Sequence, residues 1–243
     1  MSNFKLTYKQ FGESAILVEW PQRISKTILT DIRVFVEKIK KSNIKEILEY
    51  NFVYSSLLVV YNNKLVSYDH IKQRLSNLYE MENQTKLSQS SLWHIPVCYD
   101  QEFGVDLEFL SKEKKYTIEE IISLHSNTVY TVYGIGFLPG FLYLGGLLNQ
   151  LHTPRRSIPR LEVPKGAIAI GGSQTGIYPQ STPGGWHIVG RTPISLFNPI
   201  NIHPCPVSPG DKIKFKIVNK AEFEVIKIAQ ESEVYNINKE LYD

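Results

Sequence analysis

Ile24, Ile28, Ile32, Phe35, Val36 and Ile39 recur at three- and four-residue steps, with Lys, Arg, Asp and Glu between them. That spacing gathers the apolar positions on one side of a helix. Before it, KLTYKQFG and SAILVEW read as two strands that turn at Gly12-Glu13. After it, IKEILEYNFVYSSLLVVYN reads as two more strands, and Ile71, Leu75 and Leu78 mark a second helix face. The predicted order is ββαββα, an α+β N-terminal domain over 1–82. Its two apolar helix stripes would cover one face of a four-stranded antiparallel sheet. The polar run MENQTKLSQSS follows, and residues 83–91 are read as a linker.

A different pattern occupies residues 92–243. LWHIPVCYD predicts a strand, and Asp106 is placed to cap a short helix, DLEFLSKEK. TIEEIISLHSN predicts a second helix, with Thr117 and Glu120 spaced as a capping box. Beyond it, short apolar runs alternate with Gly-Pro punctuation: TVYTVYGIGF, GAIAIGG, TPISLFNP, DKIKFKIV and AEFEVIKIA. Many short strands separated by turn residues predict a mainly-β barrel or sandwich.

The whole-chain quantities are ordinary. A chain of 243 residues with 42% apolar positions suffices for one large or two small packed domains. A net charge of +3, on dispersed lysines, argues against a nucleic-acid surface. No apolar run reaches membrane-spanning or signal-peptide length, so a cytoplasmic protein without a membrane role is expected. Cys98 and Cys205 lie outside any zinc-type spacing, so reduced thiols and no metal site are expected.

Residues 134–193 depart from that background. They hold 12 of the 15 glycines, 7 of the 13 prolines and four of the seven arginines, with Glu162 the sole acid. The arginines are Arg155, Arg156, Arg160 and Arg191. A guanidinium presents a fork of donors to a carboxylate or phosphate. Glycine lets the backbone approach a ligand or turn tightly. Together they suggest a loop-built anion site, although turn chemistry alone explains many single glycines. The loop GIGFLPGFLYLGGL carries Phe137, Leu138, Phe141, Leu142, Tyr143 and Leu144 on a backbone broken by Pro139 and Gly140, so it is expected to be buried in its own core or under a partner. His125 and His187 are candidate acid–base groups, and each has a structural alternative. Gln174 and Tyr178 could orient a ligand or satisfy loop amides. No Ser-His-Asp order, GxSxG elbow or phosphate-binding P-loop is present.

The segments IGFLPGFLYLGGL, TPRRSIPRLEVPKGAIAI, QTGIYPQSTPGGWHIVGRTP and PGDKIKFK, in that order, strongly resemble the allophanate hydrolase subunit 1 family. The likeness spans roughly 93–220. That family includes the B subunit of bacterial ATP-dependent 5-oxoprolinase, the Kip inhibitor of a sporulation histidine kinase and part of urea carboxylase. It implies a cyclophilin-like β-barrel for the C-terminal domain. It further implies a subunit that works with a related C subunit and an A subunit, opening 5-oxo-L-proline to L-glutamate with ATP and Mg2+. Carried onto this chain, the candidate catalytic residues are His125 and Arg191. The candidate substrate contacts are Arg155, Arg156, Gln174, Thr175, Gly176 and Tyr178, and the candidate partner contacts are Phe137, Pro139 and Phe141. Leu142 stands where the family commonly has proline, and His187 where it commonly has glutamine, which counts against a catalytic imidazole there. The alternative is a Kip-type regulator that binds a histidine kinase and blocks its autophosphorylation.

Overall fold

The computed structural model describes residues 4–82 and 87–242. The chain forms two compact units that part between Ser88 and Gln89. Of the segment read as a linker, 83–86 lie outside the described residues, and Ser90 and Ser91 already belong to a strand. Among the described residues no helix is long and apolar enough to cross a membrane.

The first unit runs β1 (Thr7–Phe11), β2 (Ala15–Glu19), α1 (Lys26–Ser42), β3 (Ile47–Val53), β4 (Ser56–Tyr61) and α2 (Tyr68–Glu80). Its strands pair antiparallel in the order β1-β2-β4-β3, and Gly12 takes the left-handed backbone of the first hairpin at φ +63°. Helix α1 buries Ile28, Leu29, Ile32, Phe35, Val36 and Ile39, whereas Ile24 precedes the helix and is exposed. Polar groups stitch this core together. Asp31 accepts hydrogen bonds from Trp20 Nε1 at 2.7 Å and Tyr79 Oη at 2.6 Å. The buried Lys38 ammonium donates to the Tyr79 and Met81 carbonyls, which terminate α2.

The second unit opens with β5 (Ser90–Val97), α3 (Leu107–Lys114) and α4 (Ile118–Asn127). Strands β6 (Val129–Ile135) and β7 (Leu142–Gly145) follow, then a 3-10 turn at Asn149–Leu151. Next come β8 (Arg160–Val163), β9 (Ala167–Gly171), β10 (Gln174–Ile177), β11 (Thr182–Gly184) and β12 (His187–Arg191). Strand β13 (Lys212–Ile217), helix α5 (Lys220–Glu231) and β14 (Lys239–Tyr242) complete it. The pairing path is β14-β5-β13-β6-β7-β10-β9-β12, antiparallel except for the parallel β5–β13 pair. Reciprocal backbone bonds of 2.9 Å between Cys98 and Arg191 then return β12 to the continuation of β5. Inside lie Ile95, Val97, Tyr130, Val132, Leu142, Leu144, Ile168, Ile170, Ile213 and Phe215. Both cysteines are free thiols.

Two sequence expectations are corrected. AEFEVIKIA is helix α5, not a strand. Asn219 and Glu222 close a reciprocal capping box at 2.9 Å in each direction, and Phe223 is the residue the helix buries. The apolar alternation that suggested a strand arises because Val225 and Ile228 are exposed. TPISLFNP is extended and buries Thr192, Ile194 and Leu196, but it joins no ladder. The capping box predicted at Thr117 and Glu120 is present.

Replacing Asn219 by Ala should cost about 1 kcal/mol of stability, the usual worth of an N-cap. A urea denaturation midpoint unchanged from wild type would show that α5 does not depend on its cap.

Candidate functional site

The glycine-rich stretches form the seat of one large ring. A Cβ at Gly171 would lie 2.6 Å from the Trp186 ring, and one at Gly176 would lie 2.9 Å from both Phe141 Cζ and the Leu142 carbonyl oxygen. Both positions must therefore be side-chain-free for Trp186 to lie against β9 and β10. Around it, Phe141 packs edge-on to Tyr178 (5.0 Å) and to Trp186 (5.7 Å), and Tyr143 lies 4.7 Å from Phe141. The Arg155 guanidinium sits over the Trp186 ring at 5.7 Å, and its charge also reaches Tyr143 and Tyr178. Burial raises the pKa of both phenols, and the Arg155 charge partly offsets it. Among the described residues Arg155 makes no hydrogen bond or ion pair, and it is exposed.

Beside this aromatic floor, one carboxylate fastens the arginine loop. Asp106 is 3% exposed, and its Oδ1 accepts from Arg160 Nη2 at 2.7 Å and Arg156 Nη1 at 3.3 Å. Its Oδ2 accepts from the Ile188 backbone N–H at 2.7 Å. Asp106 does stand at the N-cap of α3, but its side chain makes no cap bond because it is turned to these three donors. The loop is further held by Arg156 N to the Gly185 carbonyl at 2.7 Å and by a β-bridge between Thr153 and Gly172. His187 Nε2 donates to the Pro154 carbonyl at 3.0 Å, and its ring stacks on Phe109 at 4.9 Å. Burial lowers the His187 pKa, with the Pro154 carbonyl acting the other way. Arg156 and Arg160 are thus largely committed. Arg191 is bound only through Nε, which donates to the Lys165 carbonyl at 2.8 Å.

His125 lies elsewhere, in the interior. It is 0% exposed and stacks on Phe215 at 4.8 Å. Thr175 Oγ1 donates to the Ala169 carbonyl at 3.0 Å, so it must accept from His125 Nε2, also at 3.0 Å. The Nδ1 atom then accepts the Tyr99 hydroxyl at 2.8 Å. This bonding assigns the proton to Nε2. Burial drives the His125 pKa down to about 3. An imidazole neutral at working pH and sealed from solvent suits a strut between α4 and β10, not the acid–base role expected of it. Gln174, Thr175 and Gly176 are likewise buried in β10. The candidate residues are therefore not one cluster: Thr175 joins His125 inside, Gly176 and Tyr178 belong to the aromatic floor, and Arg191 stands apart from both. Phe141 is 2% exposed and serves as an internal anchor, which corrects its reading as a partner contact. Phe137 is 64% exposed and Pro139 is exposed, so that loop does offer an apolar tip. Sequence reasoning missed Asp106 as the fastener, since a lone acid before a helix reads as a cap.

Residues 6–207 match the family model described as carboxyltransferase domain, subdomain C and D. The chain is 34% identical over 230 residues to the B subunit of 5-oxoprolinase from Bacillus subtilis, covering 90% of this chain and 95% of that protein. It is 46% identical over 160 residues to the protein of the same name from Haemophilus influenzae, covering 65% and 74% of the two chains. Among solved structures, the K. lactis urea amidolyase superposes with a TM-score of 0.83 at 19% identity. All of this chain aligns there with 16% of that much longer one, so that likeness concerns the fold.

Two outcomes follow from the buried charges. Asp106→Ala should cost about 3–5 kcal/mol, because it strands two guanidinium groups and the Ile188 N–H; a melting temperature within a degree or so of wild type would remove Asp106 from this role. Acidification tests His125. Its folded pKa, about 3, lies below the unfolded value of about 6.5, so the unfolded chain takes up the proton first. Its contribution is complete above pH ~6.5 and falls by up to about 1.4 kcal/mol per pH unit down to pH ~3. His187 acts with the same sign. Denaturation midpoints between pH 7 and 5 should drop, and His125→Gln should flatten the drop.

Proposed function

Because the chain belongs to the carboxyltransferase domain, subdomain C and D, family, we propose that it is one subunit of an ATP-dependent 5-oxoprolinase. The complex hydrolyses 5-oxo-L-proline to L-glutamate, and this chain acts with a related C subunit and an A subunit. The second unit is then a cyclophilin-like barrel, the first an α+β domain, and the setting cytoplasmic. Support comes from the near full-length likeness to a protein named as the B subunit of 5-oxoprolinase, and from a second of the same name. The observation in this chain that carries the reading is two guanidinium groups at separate places, Arg155 over Trp186 and Arg191 held only through Nε, both with donor edges directed to no acid of the described residues.

A lactam carbonyl is a weak electrophile, and ATP supplies a phosphoryl group that turns its oxygen into a leaving group. The arginine-lined cleft measures about 220 Å³, below the ~300–1,000 Å³ that enclose drug-sized ligands, so the nucleotide does not fit that cleft. In this reading ATP and its Mg2+ are shared with the partner subunit, and no step is routed through them here. This chain's share is to bind and orient the anionic substrate with Arg191, while Arg155 over the Trp186 ring offers a separate cationic contact. Exposed Phe137 and Pro139 supply an apolar contact for a partner subunit. The same tip would serve a Kip-type inhibitor docking on a histidine kinase, which is the second reading.

Reconstitution with both partner subunits should give 5-oxoproline-dependent ADP release that disappears when this chain is left out. Release indifferent to the chain, with the partners folded, would favour the kinase-binding reading. Arg191→Ala should lower turnover at subsaturating substrate about tenfold or more without disturbing assembly.

A further inference from the structure

The cleft of about 220 Å³ lies between the 102–105 segment, β8, β9 and β12. Phe103, Val105, Ala167 and Ile188 make its apolar walls, and Arg160 and Arg191 line it as well. The wall at 102–105 is braced by α5: Phe103 stacks on Phe223 at 4.6 Å, and Glu102 pairs with Lys220 at 2.6 Å. The opposite wall is braced by Asp106, which holds Arg160.

The charges decide what such a cleft can take. Glu102 is balanced by Lys220, and Glu162 accepts a hydrogen bond from Ser181 at 2.8 Å. Asp106 balances one of the two guanidinium groups it binds, Arg156 and Arg160. Arg160 Nη1 and Arg156 Nε are buried with no partner among the described residues. Arg191 lies at the end of β12, and its terminal nitrogens make no hydrogen bond among the described residues. With Glu162 set against one remaining guanidinium, the cleft keeps about one unit of uncompensated positive charge. That suits a singly charged carboxylate, which takes two parallel N–H donors from one guanidinium. A phosphate dianion would leave an excess of negative charge beside Glu102 and Glu162. The volume of about 220 Å³ admits a small acid.

We propose that this cleft is a carboxylate subsite, in which Arg191 grips the carboxylate, Arg160 adds a second positive charge and Asp106 positions Arg160. Resting on the 5-oxoprolinase reading, the subsite holds the 2-carboxylate of 5-oxoproline and leaves the lactam amide pointing outward to the rest of the complex. The apolar walls then contact the ring methylenes.

The test is calorimetric titration of the full chain with 5-oxoproline, with pyrrolidin-2-one, which is the same lactam without the carboxylate, and with inorganic phosphate. 5-Oxoproline should bind about tenfold or more tightly than either. Arg191→Ala should remove that preference. Val105→Trp, at an exposed wall position, should block binding by filling the cleft, with an unchanged melting temperature in both variants. Equal binding of the two lactams, tighter binding of phosphate, no binding by the folded chain, or wild-type binding by both variants would each overturn the subsite. In the assembled complex, Arg191→Lys should raise KM for 5-oxoproline and largely spare kcat. An active complex whose KM ignores both Arg191→Ala and Val105→Trp would refute the subsite and leave the 5-oxoprolinase reading intact. Carboxylate-selective binding by a chain whose complex cannot hydrolyse 5-oxoproline would uphold the subsite and refute that reading.

Discussion

The Asp106 carboxylate joins three stretches of chain that are far apart in sequence: the start of α3, the arginine loop at 152–160, and β12. Its oxygens are matched to three donors, which is the condition under which a buried anion is tolerated. Because the Ile188 N–H is one of them, the loop is referenced to the backbone of the sheet and not merely to another side chain. The guanidinium groups therefore inherit the rigidity of β12. That matters for a site built on a loop, where positions otherwise drift with local backbone motion.

The unit separates its polar chemistry into a buried set and an exposed set. On the interior face, Tyr99, His125, Thr175 and the Ala169 carbonyl form a closed chain of hydrogen bonds in which donors and acceptors are matched. Elsewhere, at two separate places, Arg155 and Arg191 keep donor edges that nothing among the described residues uses as a hydrogen bond. A satisfied network rigidifies the core, whereas donors at the surface remain open to solvent or to an anion. β10 contributes to both: Thr175 points inward, and its neighbour Gly176 forms part of the floor under Trp186. The period-two alternation of a strand is what allows adjacent residues to belong to such different environments.

Local patterns were legible in the sequence and long-range relations were not. The apolar faces of α1 and α2 and the capping box at Thr117 are written in spacings of three and four residues, and the helices follow them. Helix α5 misled because its exposed Val225 and Ile228 imitate the alternation of a strand; the reciprocal Asn219–Glu222 signal outweighs that alternation. The glycine-rich block was conspicuous, but its purpose depends on a tryptophan ten to fifteen residues away settling against it. Arg155 and Arg191 could be singled out by composition. That Asp106 engages Arg156 and Arg160, leaving Arg191 with its terminal nitrogens unbonded, depends on the approach of residues about 50 positions apart.

The parallel pairing of β5 with β13, and its antiparallel pairing with β14 on the other side, bear on how this chain comes off the ribosome. The strand that opens the second unit has both neighbours in the last thirty or so residues. Roughly 115 residues separate the end of β5 from β13, and roughly 140 separate it from β14. At about 5–20 residues per second, β5 waits some 6–23 s for its first neighbour. The first unit is compact over its own 88 residues and is free to fold during that interval. The arginine cleft, braced from α5, is among the last features to form. Synthesis that stalls before α5 leaves an exposed apolar edge, the species most apt to pair with another nascent chain.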